Sequence, residues 1–133
     1  MSNRVLILIP ALAKGGAETQ LIKVARYLKL QEIEVLIISL KHINDFPIKL
    51  KNEGIHVVFL KSNWLCSFIP NIYKLFIIIK NYKPDVVIAF MFIAIIVVRL
   101  LKKYFPFKLI FSIRAARIDK KCAGAFKLTS RLR

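Results

Sequence analysis

Acidic residues, glycine, cysteine and histidine are all scarce in this 133-residue chain, and each scarcity removes a class of function. The two cysteines, Cys66 and Cys122, stand far apart and outside any Cys-x-x-Cys or Cys/His spacing, so neither a metal centre nor a disulfide framework is supported. The two histidines, His42 and His56, sit at no ligand spacing and read as bystanders. Among the four glycines none belongs to a Gly-Lys-Ser/Thr or to the spaced-glycine dinucleotide fingerprint, which excludes a P-loop. Hydrophobic runs are short as well. The longest uncharged stretch, Val86 to Val98, has 13 residues, against the roughly 20 that a membrane-spanning helix needs. A buried strand followed by a buried helix accounts for it. Pro10, Lys14 and Glu18 interrupt any export-length hydrophobic region, so no signal peptide is expected and the cytosol is the expected location.

What is abundant is positive charge, with 23 Lys and Arg against 7 Asp and Glu, a net +16. Residues 1–60 hold eight basic and five acidic side chains, a net of +3, whereas residues 61–133 hold fifteen and two, a net of +13. Such a field implies an anionic partner. Around Trp64, Leu65, Phe68, Ile69 and Tyr73, aromatic and aliphatic residues interleave with Lys74, Lys80 and Lys83. That mixture suits an anionic membrane surface, with aromatics at headgroup depth and lysines on phosphates; its alternative is ordinary core beside a solvated face. Nucleic acid is not expected, since no helix-turn-helix, zinc-finger or RNA-binding signature is present.

At 133 residues the chain is long enough for one domain with a real core and not for two, and 57% of it is apolar. The apolar pattern alternates strand and helix. Arg4 to Ile9 is a continuous apolar run of the kind found in strands buried on both faces, Val35 to Leu40 reads as a second buried strand, and His56 to Leu60, Val86 to Phe90 and Leu109 to Ile113 read as three more strands. Between them, helical spacing brings Ala17, Leu21, Val24, Ala25 and Leu28 to one face, and Ile72, Leu75, Phe76 and Ile79 to another. Pro70 opens the latter helix. Lys83-Pro84-Asp85 breaks it, with Lys83 expected to be extended before proline. A further apolar helix runs from about Ile93 to Tyr104, and Asn44 to Gly54 reads as a polar connection.

Right-handed crossovers then predict a three-layer, Rossmann-like α/β domain of about five parallel strands in the order 3-2-1-4-5. Ligands in such sheets bind beyond the carboxyl ends of the strands at the switch point, here between strands one and four. Gly15-Gly16 closes the first strand-helix turn there, Phe90-Met91 ends strand four, and Arg114 follows strand five. Two glycines before a helix let a backbone or a ligand approach the first-turn N–H groups, and a guanidinium can grip phosphate with two hydrogen bonds. On its own the glycine turn also fits simple relief of crowding in a tight connection.

Arg4-Val5-Leu6-Ile7-Leu8-Ile9-Pro10, then Lys14-Gly15-Gly16-Ala17-Glu18, the Lys83-Pro84-Asp85-Val86-Val87-Ile88 run and Ser112-Ile113-Arg114 together resemble the amino-terminal half of glycosyltransferase family 4, retaining enzymes of the GT-B type. The resemblance covers nearly all of the chain. It implies an acceptor-side domain in which Gly15, Gly16 and Arg114 face the diphosphate of a nucleotide sugar held mainly by a second domain. The expected acceptor is a saccharide, lipid-linked in surface polysaccharide synthesis, met at the inner face of the cell membrane through Trp64, Lys74, Lys80 and Lys83. No cofactor or metal is implied.

The chain also departs from that pattern. The paired-glutamate donor motif has no counterpart, since no Glu follows Glu53; Phe90-Met91 stands where many relatives have a histidine; and Gln31-Glu32-Ile33-Glu34 replaces a frequent Gly-His pair. No catalytic residue is assigned. These departures, with the end at Arg131-Leu132-Arg133, suggest a domain of residues 1–133 that is incomplete at its carboxyl end and inactive alone. The alternative is a non-enzymatic basic half-domain that docks on a membrane or on a partner subunit of a split transferase.

Overall fold

A computed structural model describes residues 3–41, 47–60 and 68–112. Along them run β1 (Arg4–Ile9), α1 (Gly16–Leu30), β2 (Glu34–Ser39), α2 (Pro47–Asn52), β3 (His56–Phe59), α3 (Phe68–Tyr82), β4 (Val86–Phe90), α4 (Phe92–Lys102) and β5 (Lys108–Ser112). The strands form one parallel sheet in the order β3-β2-β1-β4-β5, as the alternation of elements predicts. Leu6 stands opposite Leu36 on one side and Val87 on the other.

The strand period of two sorts the sheet into two cores. Leu6, Leu8, Leu36, Ile38, Val87 and Ala89 meet Leu75 and Ile79 of α3 and the apolar stripe of α4. Val5, Ile7, Ile9, Val35 and Ile37 face the other way, against Leu21, Ile22 and Ala25 of α1 and Leu50 of α2. Leu6, Ile7, Leu8 and Ile9 are fully buried, which is why β1 carries no polar residue after Arg4. Each such side chain contributes about 1.5–3 kcal/mol on burial.

Local chemistry sets the element ends. α3 begins at Phe68, two residues before the proline; Pro70 remains in the first turn, where its missing N–H has no intrahelical partner to lose. Within α1, Ile22 is buried where the sequence pointed to Val24, which is half-buried. The connection from Asn44 to Gly54 contains α2, too short for an amphipathic period to show.

Lys83 is left-handed (φ 51°), not extended. Its N–H donates to the carbonyl of Ile79 at 2.9 Å, the single bond of an αL helix end, so the need to close α3 outweighs the preference imposed by Pro84. α1 and α2 end in a more elaborate way. The N–H groups of Glu32 and Ile33 bond Lys29 and Leu28, and those of Gly54 and Ile55 bond Lys51 and Leu50, two Schellman motifs with left-handed Glu32 (φ 59°) and Gly54 (φ 70°) at equivalent positions.

Candidate functional site

At the carboxyl edge of the sheet, β1 and β4 are hydrogen-bonded neighbours whose following helices leave to opposite faces. This is the switch point. The turn after β1 is held by N–H bonds from Leu40 to the Ile9 carbonyl and from Lys41 to the Pro10 carbonyl, at 3.0 and 2.9 Å. Gly15 then caps α1 in an extended conformation that any residue adopts, and its carbonyl accepts both the N–H and the hydroxyl of Thr19, at 3.1 and 2.7 Å.

The two glycines differ in what surrounds them. Among the described residues, a β-carbon on Gly16 would meet nothing within 4 Å. One on Gly15 would run into the carboxylate of Glu18, which folds back over the turn from the first turn of α1. A carboxylate is favourable beside the positive end of a helix, and this supports a structural role for Glu18. Of the acidic residues described, it alone sits at this edge. Glu34 and Asp85 stand at the amino ends of β2 and β4.

On the β4 side, Phe90 is buried and Met91 caps α4 with φ 65° and ψ 165°, a region almost confined to glycine. Its N–H donates to the Ser112 carbonyl at 3.1 Å and its carbonyl accepts from Ile95 at 3.3 Å, so neighbouring backbone fixes it at both ends. Strain held this way is a frequent mark of a binding edge. Neither Gly15 nor Met91 offers a side-chain cap, so both helix starts present first-turn N–H groups and a positive dipole end. The sequence names Phe90-Met91 but gives no sign of this backbone conformation.

The opposite edge is a structural lock. Arg4 donates from Nε to Glu34 at 3.0 Å and from its guanidinium to the Tyr82 carbonyl at 3.0 Å, while its backbone N–H donates to the Asp85 carboxylate at 2.9 Å. Tyr82 donates its hydroxyl to the Glu34 carbonyl at 3.1 Å. Partial burial, reinforced by the Glu34 charge, pushes the Tyr82 pKa up to about 12. Asp85 is thereby committed to joining β1 and β4.

Of the residues singled out in the sequence, Gly15 and Gly16 lie at the switch point, while Arg114 and Trp64 fall outside the described residues. Lys74 and Lys80 stand exposed on α3 and Lys83 just beyond it. Among the described residues no group of three or more His, Cys, Asp or Glu is placed to hold a metal ion, and no helix is long and apolar enough to cross a membrane.

No protein-family model matches the chain, and no curated protein matches it. Among solved structures it is similar to a glycosyltransferase from Rickettsia africae ESF-5, with a TM-score of 0.74 and 26% identity over 94% of this chain. The aligned region is 33% of that protein, so this chain spans about a third of its length. The Rossmann-like sheet described above is therefore a glycosyltransferase-like fold.

Proposed function

We propose that this domain is the acceptor-side half of a retaining GT-B glycosyltransferase of the family 4 type. In this reading it moves a sugar from a nucleotide sugar to a lipid-linked saccharide in surface polysaccharide assembly. The observation that carries the proposal is the open turn at Gly16, set where two uncapped helix starts flank the carboxyl ends of β1 and β4. The likeness to the Rickettsia enzyme supports the transferase class.

A second domain holds most of the donor. Its diphosphate approaches Gly16 and the first-turn N–H groups of α1, and Arg114, two residues past β5, provides a two-pronged hydrogen-bond partner. Negative charge builds on that diphosphate as the glycosidic carbon leaves it. Fixed N–H dipoles and a guanidinium stabilise the charge without reorganising. The domain meets the lipid-linked acceptor at the cytoplasmic membrane face, through Trp64, Lys74, Lys80 and Lys83.

Calorimetric titration with uridine diphosphate tests the site. Saturable binding is expected, weakened by up to about fivefold in Gly16→Val, since a helix N-terminus contributes up to about 1 kcal/mol to a bound anion. Equal binding by the variant removes Gly16 from the site. A second reading, a non-enzymatic docking half-domain, is favoured by Glu18 being the one carboxylate at the switch point among the described residues. It predicts vesicle binding with no nucleotide binding at all.

A further inference from the structure

The described residues also line a hollow at the end of the sheet opposite the switch point. A space of about 770 Å³ opens at the amino edge, beneath the starts of β4 and β5 and beside the end of α3. That size is within the usual range for small-molecule sites. Its floor is apolar, with Phe107 and Pro84 buried and Phe105 half-buried against Phe76, ring centroids 4.9 Å apart. Lys80, Lys83 and Lys108 also line it, and all three are exposed. Asp85 is the one acidic lining residue, and one of its oxygens already accepts the Arg4 N–H.

An apolar floor with three ammonium groups and a single, partly committed carboxylate is complementary to one kind of ligand: a molecule with a hydrocarbon body and an anionic head. Free phosphate would leave the floor unused, and a neutral apolar molecule would leave the lysines without a partner. The left-handed turn at Lys83 contributes to the geometry, because closing α3 there sets Lys83 next to Lys80 on the lining instead of carrying the chain straight into β4. The helix whose end lines the cavity also carries exposed apolar residues. Ile69, Tyr73 and Ile77 form an exposed row on α3 at intervals of four residues, and Tyr104 is exposed beside Phe105.

We infer that this cavity binds one anionic phospholipid, with acyl chain against Phe105 and Phe107 and phosphate among Lys80, Lys83 and Lys108. The inference deepens the membrane part of the proposed function and is independent of sugar transfer, which uses the opposite edge. It turns diffuse attraction to a charged surface into recognition of a single lipid.

The test uses the 133-residue chain and dihexanoyl phosphatidylglycerol kept below its micellar concentration, so that no bilayer is present. Calorimetry is expected to show saturable binding of one lipid per chain, with much weaker binding of dihexanoyl phosphatidylcholine and of glycerol phosphate. Lys83→Glu/Lys108→Glu should weaken phosphatidylglycerol binding by more than tenfold, since each lysine near an anionic lipid contributes about fivefold. Lys23→Glu/Lys51→Glu, an equal change of net charge on helices of the other face, should leave it within twofold. Equal losses in the two double variants, equal binding of the two phospholipids, or glycerol phosphate binding as tightly as the lipid would each overturn the inference. A chain that sediments with vesicles yet binds no monomeric lipid keeps the surface attraction and loses the cavity site.

Discussion

The carboxylate of Glu18 lies over Gly15, in the space a β-carbon at that position would need. Two consequences oppose each other. The carboxylate favours the start of α1 by about 0.3–1 kcal/mol through the helix dipole. It also sets a negative charge beside the turn proposed to take a diphosphate, where a like charge at about 4 Å in water is worth about 1 kcal/mol. Glu18→Gln is therefore expected to lower thermal stability slightly and to tighten uridine diphosphate binding about fivefold at low salt. Unchanged or weaker binding would show that the anion does not approach this turn.

Glu32 and Gly54 occupy the same position in two Schellman motifs, both left-handed. Only glycine adopts that conformation freely; other residues incur roughly 1–2 kcal/mol. Glu32→Gly is expected to stabilise the domain by about 1 kcal/mol, and Gly54→Ala to destabilise it by a similar amount. Among the described residues, a β-carbon on Gly54 would meet only the Lys29 side chain at an ordinary 3.6 Å, so backbone strain is the term being measured. Urea unfolding of both variants checks the pair, and parallel shifts of the same sign would refute the argument.

The Glu32 position also shows why some of the structure was legible in the sequence and some was not. β1 and β4 are bounded as the apolar runs predict, because a strand buried on both faces announces itself residue by residue. The switch point follows from chain order and handedness. What escaped the sequence depends on backbone angles and on residues brought together from distant elements. Met91 and Lys83 carry positive φ without a glycine to mark it. The amino-edge cavity is assembled from the end of α3 and the starts of β4 and β5, and the cover that Glu18 gives Gly15 is a matter of rotamer.

Tyr82 supplies a pH prediction. Its folded pKa is raised to about 12 from 10.0, so the native state favours the protonated hydroxyl that donates to the Glu34 carbonyl. The stabilisation is fully present below pH 10 and is lost as pH rises through about 12. Wild-type protein should lose stability over that interval more steeply than Tyr82→Phe, which has no proton to release. Urea midpoints measured across the interval give the comparison, and superimposable slopes would exclude Tyr82 as the source.

Turnover is the prediction that bears most directly on the transferase reading. If the second domain holds most of the donor, the 133 residues alone should transfer no radiolabelled sugar to a lipid-linked acceptor above a no-protein control. Transfer by this chain alone would place the whole reaction in one Rossmann-like unit and end the division of labour proposed here.

The proposed membrane attachment rests on how α3 distributes its side chains. Leu75 and Ile79 are buried, while Ile69 and Tyr73, 79% and 65% exposed, stand on the outer surface with Lys74 and Lys80. An exposed aliphatic and aromatic row flanked by lysines gives a bilayer both an insertable edge and a cationic partner. Each lysine near an anionic surface contributes about 1 kcal/mol, and the attraction falls off within a Debye length. Co-sedimentation with phosphatidylglycerol-containing vesicles should accordingly be strong at low salt and weak at high salt. It should be abolished in Lys74→Glu/Lys80→Glu/Lys83→Glu, and Tyr73→Ser should reduce it at every salt concentration, because the apolar contribution is not screened. Equal partition into neutral and anionic vesicles, or no effect of charge reversal, would assign the row to ordinary exposed surface.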